Sequence, residues 1–174
     1  MTAKILLTSF DTWLPHHKSN SSDDLLIEIA KLNSLPYSLT FLRRLPVDVS
    51  KASLSVLSQI EELQPDSIIC CGMAENRKHL TVESNATWEK DTIKTSVNLE
   101  QLVADLAVTK ISHNAGKFVC EGLYYSVLKQ LRRYLQTPCI FVHVPVLTPN
   151  NLPQIVADFL LIIGNLGRTK TERA

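Results

Sequence analysis

The sequence predicts an α/β protein, a three-layer α/β/α sandwich around a central, twisted, mostly parallel sheet. Three observations predict it: short runs of consecutive apolar residues rich in β-formers, helical periodicities between those runs, and the alternation of the two along the chain. A length of 174 residues suits one domain, residues 1–174, with a core that needs no disulfide or metal support.

Taken in order, Lys4 to Ser9 (KILLTS) reads as a first central strand, apolar enough to be buried on both faces. Asn20, Ser21, Ser22, Asp23 and Asp24 offer a helix cap and acidic first-turn residues, ahead of Leu25, Leu26, Ile29 and Leu32 on one face. Tyr37 to Leu45 mixes polar with apolar residues and reads as a strand nearer an edge. Ser50 precedes a helix in which Leu54, Leu57, Ile60 and Leu63 recur at helical spacing, with Pro65 marking its end. Ser67 to Cys71 (SIICC) is a second central strand. The polar stretch from Ala74 to Val97 has only short alternations such as Leu80 and Val82, and reads as a β-hairpin or a loop near a site. Lys110 to Ser112 is a short further strand, followed by a helix carrying Leu123, Val127, Leu131 and Leu135 four residues apart. Cys139 to Val144 (CIFVHV) completes the central strands, and a last helix has Pro153 early with Ile155, Val156, Phe159 and Leu160 inward. Connections of this kind are right-handed crossovers.

A formal charge of +1 supplies no field for nucleic acid or an anionic membrane surface. The longest apolar run, Phe159 to Ile163, is far short of the ~20 residues that cross a bilayer. The start MTAKILLTSFD lacks the plan of a signal peptide, so the expectation is a cytoplasmic protein. Cys70, Cys71, Cys120 and Cys139 show no metal-ligand spacing and read as reduced thiols.

In a parallel α/β sheet, ligands bind beyond the carboxyl ends of the strands. Cys120 opens a helix just after the turn Asn114-Ala115-Gly116, where unpaired amides and the helix dipole favour a thiolate and predict a pKa below the usual value of about 8.5. His143 near the end of its strand is a candidate base, and Glu83, after Leu80-Thr81-Val82, a carboxylate able to fix the imidazole tautomer. Each residue alone also fits a structural role, a core cysteine, a satisfied strand histidine and a solvated glutamate.

The segments SHNAGKFVCEGLYY and FVHVP, in that order, resemble the nucleophile and histidine segments of the pyroglutamyl peptidase I family, cysteine peptidases also called pyrrolidone carboxyl peptidases. TSFDTWLP resembles that family's TGFEPFGG, RRLPVDVSKA its LPV-containing strand and helix start, and CGMAENRKHLTVESNA its Gly-x-Ala-x-x-Arg turn and Glu-bearing segment. The resemblance spans nearly the whole chain. It implies Cys120 as nucleophile, His143 as general base and then acid, and Glu83 as the orienting carboxylate. The implied reaction removes an N-terminal pyroglutamyl residue from a peptide through a thioester, without cofactor or metal, with amides near the turn before Cys120 stabilising the oxyanion. Phe10 and Trp13 would sandwich the lactam, Met73 would form the floor, and Phe118 and Val119 would line the pocket. The implied partner is a peptide with N-terminal pyroglutamate or a related small acyl amide, with no nucleic acid or membrane, and with room for a homo-oligomer.

The sequence also departs from the family. Ser9, Leu14 and Pro15 stand at glycines of TGFEPFGG, Trp13 at its second Phe, Ser84 at the Arg after the Glu, and Trp88 near an Asn. A long family loop with Pro-Asp-Asn and Gly-Ala-Pro stretches has no counterpart between Glu83 and SHNAG. Two alternatives therefore stand beside the peptidase: a noncatalytic member binding a ligand or partner in a remodelled cleft, and a cysteine amidase for another small acyl group.

Overall fold

The first apolar run folds as β1 (Lys4–Phe10), buried at every residue after Lys4. In the computed structural model, which describes residues 2–134 and 136–168, the chain continues through α1 (Ser21–Ala30), β2 (Ser38–Leu45), α2 (Val49–Leu63), β3 (Ser67–Met73) and β4 (Leu80–Glu83). A hairpin of β5 (Asn85–Trp88) and β6 (Asp91–Lys94) follows, then α3 (Leu99–Val103), β7 (Thr109–Ser112), α4 (Val119–Tyr134), β8 (Cys139–Val144) and α5 (Leu152–Arg168). The main sheet has six strands in the order β2-β1-β3-β8-β4-β7. Every neighbouring pair in it is parallel except β4 with β8, which are antiparallel. The three runs read as central strands do lie side by side in its interior, and the mixed run 38–45 forms one edge.

Because side chains alternate along a strand, each strand feeds two cores. On one face Ile5, Leu7, Ile69 and Val142 meet Leu25, Leu26 and Ile29 of α1 and Ile155, Phe159 and Ile162 of α5. On the other, Leu6, Phe10, Ile68 and Phe141 meet Val56 and Ile60 of α2 and Leu123, Val127 and Leu131 of α4. Full burial of each such side chain contributes about 1.5–3 kcal/mol. Helices therefore cover both faces, as the alternating pattern predicts. No described helix is long and apolar enough to cross a membrane.

The helix starts follow their caps, with corrections to the expected faces. Asn20 caps α1 by accepting from the Ser22 amide, but Leu32 lies beyond the C-cap Lys31 and is exposed. Helix α2 begins at Val49, before Ser50, because the Asp48 carboxylate accepts from the Lys51 amide at 2.8 Å. Its buried residues are Ala52, Ser53, Val56 and Ile60, whereas Leu54 is 72% exposed. The two helices cross closely where Val49 packs against Gly122 of α4; a Cβ there would lie 2.7 Å from Val49 Cγ2. A crossing that tight is made with small side chains, and Ala52 faces inward beside Ile60, while Leu57 and Leu63 of the expected face are partly buried against the same core and only Leu54 departs from it. In α5, Ile155 and Phe159 are buried and Val156 and Leu160 are partly buried against the same core. Leu135 lies outside the described residues.

The connections create the site. The chain leaves β1 for the α1 side of the sheet and, after β2, returns through α2 on the opposite side to β3. The loops after β1 and β3 thus part company at a point where strand order reverses, the place where such sheets leave a crevice.

Candidate active site

Ser112 to Val119 carries the chain from the end of β7 to the start of α4. The Gly116 amide donates to Asn114 Oδ1 at 3.0 Å, and Gly116 adopts φ +99°, a conformation that favours glycine. This turn places Cys120 second in α4, in the turn where helix amides lack internal partners. Its sulfur points inward onto β3: a Cβ added to Gly72 would lie 2.6 Å from Cys120 Sγ. Gly72 in turn is the register partner of His143 on β8. The glycine is thus the gap on β3 into which the α4 thiol fits, beside the strand that carries the histidine.

The expected low thiol pKa is not what this environment gives. Burial first, then the charges of Glu83 and Cys70, push Cys120 up to about 12, while its own backbone amide and Arg77 act in the opposite direction. The helix-start effect is present but smaller than desolvation. Cys120 therefore rests as a neutral thiol, and among the described residues no hydrogen bond joins it to His143. The other three cysteines are free and buried.

The antiparallel pairing of β4 with β8 puts Thr81 opposite His143. Two residues along, Glu83 points to the same face and reaches the imidazole. His143 Nδ1 donates to Glu83 Oε1 at 2.7 Å, which leaves Nε2 as the other ring nitrogen. Glu83 is fully buried and His143 is nearly so. Arg77 Nη1 also donates to Glu83 Oε1, at 2.5 Å, and to Thr81 Oγ1. Arg77 Nη2 donates to the Asn114 carbonyl at 2.8 Å, tying the carboxylate to the turn before Cys120. Burial alone would raise the Glu83 pKa; the hydrogen bond and charge of His143, with Ser112 and Arg77, outweigh it and hold the carboxyl below its ordinary value. The Tyr124 hydroxyl donates to the Glu83 backbone carbonyl at 3.0 Å, so α4 also braces β4.

Cys120 and His143 line a cleft of about 630 Å³. Trp13, Met73, Phe118 and Val119 line it as well. Phe10 does not. It is 2% exposed, inside the core beneath α2 and α4, because β1 runs one residue beyond Ser9 and alternation puts Phe10 on the Leu6 face. Its backbone pairs with Leu45 across a register shift in β2. The aromatic neighbour of Trp13 is instead Phe118, with ring centroids 5.8 Å apart and planes at 47°. Trp88 adds a third exposed aromatic to the lining.

Three residues of the site escaped the sequence reading of individual roles: Gly72, Arg77 and Trp88. Arg77 had a signal, its place in the segment CGMAENR after a central strand. Gly72 had one in being the glycine among apolar strand residues, where a close backbone approach is common. Among the described residues, one group offers three metal-type donors within reach of a single ion: His16, His17 and Glu75, at the rim of the cleft.

No family model matches the chain. Among curated relatives, the pyrrolidone-carboxylate peptidase of Bacillus cereus strain Q1 is 29% identical over 123 residues, covering 55% of this chain and 57% of that protein. That of Bacillus thuringiensis strain Al Hakam is 28% identical over 123 residues with the same coverage. The matched region thus spans a little over half the length of these relatives. Among solved structures, the pyroglutamyl peptidase I from Bacillus amyloliquefaciens superposes with a TM-score of 0.84 at 21% identity, over 96% of each chain. The pyrrolidone carboxyl peptidase from Thermococcus litoralis gives 0.83 at 18% identity, over 99% of this chain and 96% of the other. These superpositions establish a shared fold.

Proposed function

Because the chain is a divergent relative of the pyrrolidone-carboxylate peptidases in sequence and shares the fold of pyroglutamyl peptidase I, we propose that it is a cysteine peptidase acting on peptides with an N-terminal pyroglutamyl residue. The observation that carries the reading is the buried hydrogen bond from His143 Nδ1 to Glu83 in the cleft that also holds Cys120. Glu83 fixes the imidazole with Nε2 available as base, the arrangement a thiol needs to be deprotonated as it attacks.

In the proposed reaction, Cys120 Sγ attacks the pyroglutamyl carbonyl carbon while its proton passes to His143 Nε2. The carbonyl oxygen takes the negative charge, stabilised by first-turn amides of α4. Collapse of this intermediate breaks the C–N bond, and His143 returns the proton to the leaving amine. A thioester to Cys120 remains. Water, deprotonated by His143, attacks that carbonyl and releases pyroglutamate and the thiol. Ion-pair formation is thereby coupled to attack, consistent with a resting thiol near 12. The aromatic side chains of Trp13 and Phe118 supply flat apolar surface for the lactam or the residue after it. The free thiols fit a reducing, cytoplasmic setting.

A second reading, ligand binding without turnover, draws on the same neutral Cys120 and the lack of a hydrogen bond from it to His143. Incubation with a fluorogenic pyroglutamyl amide beside prolyl and alanyl controls separates the two. Selective release from the pyroglutamyl substrate supports the peptidase. No release, together with saturable binding of 2-pyrrolidone, supports the binder.

A further inference from the structure

We propose that His16, His17 and Glu75 form a binding site for a divalent transition cation of the zinc class at the rim of the cleft. The histidines come from the turn after β1 and the glutamate from the loop after β3, the two loops that diverge at the strand-order reversal. Both imidazoles aim the same atom at the same oxygen. His16 Nε2 lies 3.3 Å and His17 Nε2 2.7 Å from Glu75 Oε2, and all three donor atoms lie within 4.8 Å of one another.

The spacing suits an ion. Tetrahedral zinc with ligands at about 2.0–2.2 Å sets neighbouring donors about 3.3 Å apart. The His16 to Glu75 separation already has that value, and the His17 pair needs to open by about half an ångström. Two imidazoles and one carboxylate are a donor set for zinc or its first-row neighbours, and a poor one for calcium or magnesium, which require mostly oxygen. The rings are in mutual edge contact, with centroids 4.3 Å apart, which limits their freedom to turn away.

The His17 side chain is 7% exposed, whereas that of His16 is 63% exposed. One ligand is therefore fixed by packing and the other stands open to solvent, an entry path for the ion. With three protein ligands, a fourth position remains for water or for a donor on a molecule in the cleft, since His17 and Glu75 also line it. The site does not depend on the peptidase reading, since its ligands are separate from Cys120, His143 and Glu83.

The test is zinc binding to chelator-treated Cys120→Ala protein, measured by isothermal titration; that background removes the cleft thiol as a competing ligand. One equivalent is expected, with magnesium and calcium not binding. His16→Ala, at an exposed position, should weaken zinc at least tenfold, and Glu75→Gln should do the same. Ligand-linked stabilisation should raise Tm with zinc in the parent and fail to do so in His16→Ala. Unchanged zinc affinity in both variants, or no binding in the parent, overturns the site.

Discussion

The floor and the rim of the cleft are built on different physical terms. On the floor, Cys120, His143 and Glu83 sit on α4, β8 and β4, elements anchored in the core, and Glu83 Oε1 is held by both His143 Nδ1 and Arg77 Nη1. On the rim, Trp13 and Phe118 are 51% and 69% exposed and come from loops. Rigid elements hold groups whose relative position must be kept within a fraction of an ångström, while loops present apolar surface that can be exchanged without disturbing them. On this account floor substitutions change turnover and rim substitutions change apparent affinity.

The largest effect expected is on the floor. Cys120→Ala and His143→Ala should each lower turnover of a pyroglutamyl amide by at least about a thousandfold, and Glu83→Gln by about 10²–10⁴-fold, leaving residual rate. Steady-state kinetics check this, and a change confined to KM would break the contrast with the rim. Next comes Gly72→Ala, whose Cβ would collide with Cys120 Sγ and the Phe141 ring. Overpacking of that kind costs about 1–3 kcal/mol in urea unfolding and should also lower kcat.

Behind the site, Asp23 of α1 ties the ends of β1 and β2 together. Its carboxylate accepts from Arg43 Nε at 2.8 Å and Nη2 at 2.9 Å, and from Ser9 Oγ at 2.7 Å. Burial would raise its pKa, but Arg43 and Ser9 together outweigh burial and lower it. A lowered folded pKa means stability that is fully present above the unfolded value of about 3.9 and lost as pH falls through the folded one. Asp23→Asn should therefore cost about 1–2 kcal/mol at pH 7, allowing for the solvent around Arg43. The gap from wild type should shrink as the pH is taken below about 4 in urea titrations. A gap that is constant with pH would remove the ion pair from the account. Smallest is the rim: Trp13→Ala should weaken lactam binding by about 1 kcal/mol, roughly fivefold in KM, with kcat and Tm nearly unchanged.

The parallel half of the sheet was legible from sequence because burial on both faces writes itself as unbroken apolarity, as in KILLTS and CIFVHV. Strand β4 was not, since LTVE is four residues long and its last member is the catalytic candidate, a charge no strand pattern predicts. Helix α3, at five residues, is below the length at which periodicity shows. The candidate trio was legible mainly through the resemblance of its segments; spacing alone put Cys120 at a helix start and His143 near a strand end. The thiol's pKa was misread because the sequence displays the helix start but conceals the burial of the sulfur over Gly72. Phe10 was misplaced for a related reason: strict alternation from Leu6 assigns it to the core, whereas the loop reading ended β1 at Ser9.

The central claim is that the floor residues act as one unit, and a double-mutant cycle in single-turnover hydrolysis of the pyroglutamyl amide tests it most directly. Cys120→Ala, His143→Ala and the pair should show the same residual rate, since loss of either partner removes the whole thiol activation. Losses that multiply in the double variant, or turnover close to wild type in Cys120→Ala, would contradict it.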